Sequence, residues 1–258
     1  MTPDERLLTE GALLIKGRIM PASNATFLAD VELEGRVAQC VYKPVTGERP
    51  LWDFPDGTLA AREVAAYAVS AALGWSLVPL TVLREGPAGV GMVQWWQEAV
   101  PGHDPVDVVR RGAVPRGYRR VLDAYDGEER PVSLVHEDAE PLRRMAVFDA
   151  LVNNADRKGG HVLAMADGHR YAVDHGVCFH VDDKLRTVLW GWADEPLVPD
   201  DRACVEKLLA DEVLRSRLEE LLHEDEVVAF EHRCRRLLAR GRMPVPSGEW
   251  PAIPWPAF

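Results

Sequence analysis

The apolar pattern predicts one short helix at the start of the chain, and positions that alternate between apolar and polar follow it. An acidic first turn begins that helix, and Gly11 ends it. From 13 to 41 the apolar residues fall at alternating positions within short runs, which are separated by turn residues at 21–24 and 34–35. Such spacing is typical of strands that bury one face. The pattern therefore predicts a three-stranded antiparallel unit whose third strand ends at Lys43.

The spacing becomes helical at 59–73, LAAREVAAYAVSAAL. This run is rich in alanine, is apolar at helical intervals and stops at Gly74, so it predicts a strong helix. Glu63, near its start, is the only acidic residue in it. Two further strands are predicted at 78–83 and 91–96.

The segment 97–140 has no clear period, and we predict that it is irregular, with short helices at 106–111 and 116–126. A helix at 142–152 follows Pro141, a residue common near helix starts. Further helices are predicted at 201–210, 211–222 and 224–241. The tail from 242 onward is rich in proline and tryptophan, and is extended, packed or mobile.

Composition narrows the class of protein. The 258 residues allow one large domain or two lobes around a shared cleft, and 47% hydrophobic with 28% charged residues is typical of a globular protein. The net charge of −11 argues against non-specific nucleic-acid binding and against docking on an anionic membrane. No apolar run approaches the ~20 residues of a membrane span. Scattered cysteines and the absence of a secretory signal predict a cytoplasmic protein with reduced thiols.

One short stretch, 145–180, combines acidic residues and histidines with tight turns. Asp156 opens the string DRKGGH, which ends at His161, and a predicted hairpin then leads to Asp174 in DHG. Loop, strand, hairpin and strand would bring these three side chains to one end of a two-stranded ribbon. Phosphoryl transfer needs one carboxylate to orient the acceptor and further ligands for a divalent metal. An ordinary hairpin with surface charges is the alternative.

The strings DRKGGH at 156–161 and DHG at 174–176 resemble the catalytic and metal loops of the phosphatidylinositol 3- and 4-kinase group and of the related HipA-like kinases. The chain as a whole is similar to an actinobacterial family labelled phosphatidylinositol 3- and 4-kinase-like. The resemblance implies an α+β, two-lobed, protein-kinase-like fold. An antiparallel N-terminal sheet with one helix would form the lobe 1–97, and a mostly helical lobe would span 98–258.

The same resemblance implies an ATP-dependent phosphotransferase that uses Mg²⁺ or Mn²⁺ and acts on an unidentified hydroxyl acceptor, such as a soluble metabolite or an inositol-type head group. Asp156 would orient or deprotonate the acceptor, while His161 and Asp174 would hold metal. Arg157 or Lys158 would stabilise charge on the moving phosphoryl group. The family pattern has asparagine where His161 stands. Because Mg²⁺ prefers oxygen ligands, that change implies Mn²⁺, a weak metal site or a contact with phosphate.

In the kinase pattern a strand lysine pairs with a helix glutamate, and these roles fall on Lys43 and Glu63. The alternatives are a solvated lysine and an acid that favours the helix N-terminus. The first hairpin tip would cover the nucleotide phosphates with the backbone N–H groups of Ser23 and Asn24, or is a plain turn.

The strand at 91–96 leads to the hinge of the kinase layout. Gln94, Trp95 and Trp96 are therefore candidates for contact with the adenine edge, although tryptophan is more often a core residue.

Two other functions compete with an active kinase. A nucleotide-binding pseudokinase would act as a regulatory switch, which the histidine at 161 and the absence of a glycine-rich loop favour. A metal-dependent hydrolase would use a set of residues that lacks the H-E-x-x-H spacing, namely His161, Asp174, His175 and His180.

Overall fold

The computed structural model describes residues 1–20, 24–54, 58–248 and 250–258, and within these ranges the chain forms six α-helices and ten strands. The helices are α1 (Pro3–Glu10), α2 (Leu59–Ala72), α3 (Glu140–Val152), α4 (Pro199–Leu209), α5 (Glu212–Glu219) and α6 (Glu224–Arg240). The strands are β1 (Ala12–Arg18), β2 (Phe27–Leu33), β3 (Arg36–Pro44), β4 (Thr81–Gly86), β5 (Gly89–Trp95), β6 (Val106–Arg110), β7 (Tyr118–Tyr125), β8 (Pro131–Glu137), β9 (Val162–Ala164) and β10 (Arg170–Ala172).

The N-terminal sheet is antiparallel and has the order β1-β2-β3-β5-β4. Its alternating pattern buries Val31 and Tyr42, which pack with Leu7 and Leu8 of α1 in a small apolar cluster. Helix α2 connects β3 to β4 and packs against β4 and β5. The predicted α+β class with an antiparallel N-terminal sheet is confirmed, and α1 adds a second helix to this part.

A second sheet, of order β6-β8-β7, occupies most of the segment after β5. The prediction of short helices at 106–111 and 116–126 was therefore wrong, because both runs are strands. Each pairs with β8, which buries Ser133 to His136, whereas β6 and β7 are largely exposed edges. The C-terminal part is therefore less helical than expected. The pairing of these strands depends on residues that are far apart in the sequence, so the local pattern did not predict it.

Residues from both halves of the chain share the main apolar core. It joins Val64 and Val69 of α2 to Phe148 of α3 and Phe230 of α6. The lobe division 1–97 and 98–258 stays a prediction. No helix in the described ranges is both long enough and apolar enough to cross a membrane.

The C-terminal tail packs against the region after α3. The Thr187 N–H donates to the Ala252 carbonyl at 3.0 Å, and the Gly159 N–H donates to the Ala257 carbonyl at 2.8 Å. Of the three states left open for the tail, the described residues adopt the packed one. The predicted ribbon is also present, as β9 and β10 pair in register with a turn at 167–168.

Candidate active site

Lys43, at the end of β3, lies between two carboxylates. Its Nζ is 2.6 Å from Glu63 Oε1 and 2.9 Å from Asp174 Oδ1. Burial opposes a charge on this lysine, but Asp174 and Glu63 outweigh burial and hold its pKa above the ordinary value. Lys43 in turn lowers the pKa of Asp174, which therefore stays ionised. Burial has the opposite effect on Glu63 and raises the pKa of that carboxyl.

Backbone geometry fixes the position of Asp174. The residue has a φ of +63°, in the left-handed region that only a few non-glycine residues tolerate. The N–H of His175 donates to Glu63 Oε2 at 2.8 Å. Glu63 therefore holds the lysine with one oxygen and the Asp174 loop with the other, which links α2 to the loop after β10.

Asp156 opens the loop after α3 and lines the same cleft as Lys43, Glu63 and Asp174. The cleft has a volume of 250 Å³. Lys158 Nζ lies 3.4 Å from Asp156 Oδ2. Burial raises the pKa of Asp156, so its carboxylate is a better proton acceptor than an exposed one.

His161 and Asp174 form the predicted metal pair. His161 Nε2 lies 3.5 Å from Asp174 Oδ2, the oxygen that does not contact Lys43. Two ligands of one cation lie about 3 Å apart at ordinary bond lengths, so this pair fits a shared ion after a small shift. Burial lowers the pKa of His161 to about 4, which leaves a neutral imidazole with a lone pair to offer. Within the described ranges no group of three or more His, Cys, Asp or Glu residues could hold a metal.

The structure places Arg157 in the interior and not in the cleft. Its side chain is fully buried and makes two contacts of 3.0 Å with Asp149. It also donates to the Val173 carbonyl at 2.9 Å and to His175 Nε2 at 2.7 Å. Of the two predicted partners for the phosphoryl group, this geometry favours Lys158, while Arg157 ties the loops on either side of the ribbon together.

The residues predicted to contact the nucleotide do not all lie in the cleft. Asn24 lines the cleft, and its Oδ1 accepts from the Arg49 N–H at 2.9 Å, whereas Ser23 lies outside the described residues. The buried amide of Gln94 donates to Thr81 Oγ1 at 2.9 Å.

The backbone after β5 is also engaged. The N–H of Trp95 donates to the Leu80 carbonyl at 2.9 Å, and that of Trp96 to the Gln39 carbonyl at 3.1 Å. The cleft around Lys43 has neither tryptophan among its lining residues in the described ranges, and the adenine-edge role of Gln94 and Trp95 stays a prediction.

Three charged residues near the site gave no signal in the sequence. Glu48 and Arg49 line the cleft, and the Glu48 carboxylate accepts from the N–H groups of Leu59 and Ala60 at the start of α2. Arg186 Nη2 lies 3.9 Å from Asp156 Oδ1. Only their location in turn-rich loops beside the motif could have pointed to them.

Comparison with known proteins gives one relative of high identity. Protein Rv2133c of Mycobacterium tuberculosis (strain ATCC 25618 / H37Rv) is 50% identical over 268 residues, which cover 99% of this chain and 95% of that protein. The chain belongs to the Rv2133c family. No family model matches the sequence, so a kinship of this Rv2133c relative with phosphatidylinositol kinases remains a resemblance.

A solved structure also aligns with this member of the Rv2133c family. It is the Helicobacter pylori proinflammatory kinase CtkA, with a TM-score of 0.48 and 10% identity over 92% of this chain and 94% of that chain. A structural similarity of that size supports no conclusion about function, so the functional argument rests on the side chains of the cleft.

Proposed function

We propose that the chain transfers the γ-phosphoryl group of ATP to a hydroxyl acceptor. The observation that carries this proposal is the position of Lys43 Nζ, held between Glu63 and Asp174 in a cleft that Asp156 also lines. A fixed cation beside two separate carboxylates supplies the positioning and the charge neutralisation on which phosphoryl transfer depends.

Each residue has a separate part in the step. Lys43 neutralises the nucleotide phosphates, and Asp156 holds the acceptor hydroxyl and takes its proton. As the acceptor oxygen bonds to the γ-phosphorus, the bond from that phosphorus to the β,γ-bridging oxygen breaks, and ADP leaves with the electron pair. Lys158, beside Asp156, offsets negative charge on the group in transit.

His161 and Asp174 would hold Mg²⁺ or Mn²⁺. A bound divalent ion would supply charge stabilisation between the β- and γ-phosphates. Two protein ligands suffice for such an ion, because substrate phosphates and water complete its coordination. The nitrogen ligand favours Mn²⁺ over Mg²⁺.

The test is metal-dependent ADP release by the purified chain, with Asp174→Asn as the variant. We expect turnover to fall by about a hundredfold or more, since this carboxylate holds both the lysine and the metal. Asp167→Asn is the matched control, because Asp167 accepts from the His169 N–H in the hairpin turn, does not line the cleft, and should leave turnover unchanged. Equal turnover in Asp174→Asn and the parent would overturn the assignment.

A nucleotide-binding pseudokinase is the second candidate. The histidine at 161, in the position where the family pattern has asparagine, favours it. Calorimetry separates the two functions: ATP binding that Lys43→Gln abolishes, without metal-dependent ADP release by the parent chain, identifies the switch.

A further inference from the structure

A second cavity lies between α6, the segment 183–190 and the tail. Its volume is 160 Å³, and it shares no lining residue with the cleft around Lys43. Four arginines line it, namely Arg233, Arg236, Arg240 and Arg242. This cluster of positively charged side chains contrasts with the net charge of −11 on the whole chain.

Arg233 is the fixed member of this group. Its side chain is nearly fully buried, its Nε donates to the Leu151 carbonyl at 3.0 Å, and its Nη1 donates to the His180 carbonyl at 3.1 Å. The remaining nitrogen, Nη2, is buried without a hydrogen-bond partner in the described part of the chain. An unsatisfied buried donor on a charged group is costly, and an acceptor that reached it through a small movement of the cavity wall would offset that cost.

Trp250, which also lines the cavity, has an unsatisfied donor too. Its indole Nε1 is buried and has no hydrogen-bond partner within the described ranges. Both unsatisfied groups are N–H donors, and neither arginine nor indole can accept a hydrogen bond. A partner for either group must therefore offer an acceptor atom, which every oxygen of a phosphate does.

The charges around the cavity do not cancel. Asp183 lies 2.8 Å from Arg236, and Asp194 lies 3.1 Å from both Arg240 and Arg242. No carboxylate of the described residues forms an ion pair with Arg233. Four guanidinium groups thus face two carboxylates, which leaves two positive charges for a ligand to offset.

We propose that this cavity binds a small phosphate-type dianion, either inorganic phosphate or the phosphate end of a monoester. Phosphate carries two charges and only acceptor oxygens, and the guanidinium fork matches it with paired hydrogen bonds. The cavity volume of about 160 Å³ is large enough for a phosphate group. The site is independent of phosphoryl transfer in the cleft.

Calorimetric titration of the full chain with sodium phosphate tests the site, with sodium chloride at equal ionic strength as the blank. The variant is the exposed pair Arg236→Gln/Arg240→Gln, and we expect its phosphate Kd to rise about tenfold or more. Arg235→Gln is the matched control, because Arg235 lies on the same helix, pairs with Glu231 and does not line the cavity. Its Kd should equal that of the parent.

Two further arms locate the ligand and its source. Lys43→Gln should leave phosphate binding intact, since Lys43 belongs to the other cavity. Tighter binding of glycerol phosphate than of inorganic phosphate would assign the site to monoesters, and the reverse would assign it to the free anion. The proposal is overturned if phosphate gives no heat beyond chloride, if the double variant binds as the parent does, or if Lys43→Gln abolishes binding.

Discussion

The structure fixes His136 as a neutral imidazole. The Gly191 N–H donates to its Nε2 at 3.0 Å, so the proton must sit on Nδ1, which donates to the Glu137 carbonyl at 2.8 Å. The ring lies 4.2 Å from Trp192, measured between ring centroids. Burial is the main cause that lowers the pKa of His136 to about 4. A second proton would break the bond from Gly191.

The folded pKa of His136 is below the ~6.5 of an unfolded histidine, so the unfolded chain binds more protons in this range. The stabilising contribution is therefore present above about pH 6.5 and is lost as pH falls toward 4. We expect His136 to reduce the free energy of unfolding by about 2 kcal/mol between pH 7.5 and pH 5. Urea unfolding at both pH values measures this.

Other groups titrate in the same window, so the prediction for His136 is tested as a difference between variants. His136→Gln keeps a donor and an acceptor but cannot titrate, and its pH dependence should be smaller than that of the parent by the amount given above. His169→Gln is the control, because the ring of the half-buried His169 contacts the Ser76 carbonyl and the edge of the Tyr171 ring. An unchanged pH dependence in His136→Gln contradicts the prediction.

At the scale of elements, α2 connects the candidate site to the C-terminal helices. Arg62 Nη2 lies 2.5 Å from Glu226 Oε1 on α6, and Arg62 Nη1 donates to the Cys178 carbonyl at 2.7 Å. The next residue, Glu63, holds Lys43. Adjacent positions of one helix therefore attach it to α6 and to the cleft.

Loss of the Arg62 side chain should be among the most destabilising changes in this helix. Arg62→Met leaves the buried Glu226 carboxylate without its partner, and we expect a loss of about 3–5 kcal/mol in the free energy of unfolding. Arg62→Met/Glu226→Gln removes the unpaired charge and should recover part of that loss. Urea unfolding measures both.

The matched control for Arg62 is Arg6→Met, whose ion pairs with Glu10 and Glu34 are exposed. Exposed ion pairs contribute little to the free energy of unfolding, so this variant should unfold almost as the parent does. A loss for Arg62→Met as small as that for Arg6→Met would show that the pair does not anchor α2.

At the scale of the whole molecule, the main apolar core contains residues from both of the predicted lobes. Val64 and Val69 of α2 share one apolar cluster with Leu134 of β8, Phe148 of α3 and Phe230 of α6. A cut between 97 and 98 would expose this cluster on both sides. The two parts therefore depend on one another for the burial that stabilises each of them.

We expect the chain to unfold in one cooperative transition. Scanning calorimetry should give a calorimetric enthalpy equal to the van't Hoff enthalpy, as for a single folding unit. Two resolved transitions would instead mean that 1–97 and 98–258 fold as separate domains. The same scan on Arg62→Met, which loosens the junction between α2 and α6, should show a lower midpoint but still one transition.

Local spacing determined several elements from the sequence alone. The apolar period at 59–73 and 142–152 predicts α2 and α3, and the short runs around 167–168 predict the ribbon of β9 and β10, since neighbouring residues set these patterns. The sheet of β6, β8 and β7 was missed because β6 pairs with a strand more than twenty residues away. A local pattern carries no information about such a partner.

The sequence also identified the residue types of the candidate site, but it did not identify all of their roles. Gly159, for example, lies against the ring of Phe258, which leaves no room for a side chain, and nothing in the sequence indicated that contact. Arg157 was one of two residues expected at the phosphoryl group, but its side chain is fully buried against Asp149. Its buried partner, Asp149, gave no signal within an apolar helix.

The sequence by itself determined the helices α1 to α6, the alternating strands of the N-terminal sheet, and which carboxylates, lysine and histidine stand in the motif, because each of these depends on near neighbours. Tertiary structure alone decided that Lys43 and Asp174, separated by 131 positions, meet at 2.9 Å. It also decided which of two adjacent basic residues, Arg157 or Lys158, faces the interior. Both outcomes depend on packing between distant segments, which local spacing does not encode.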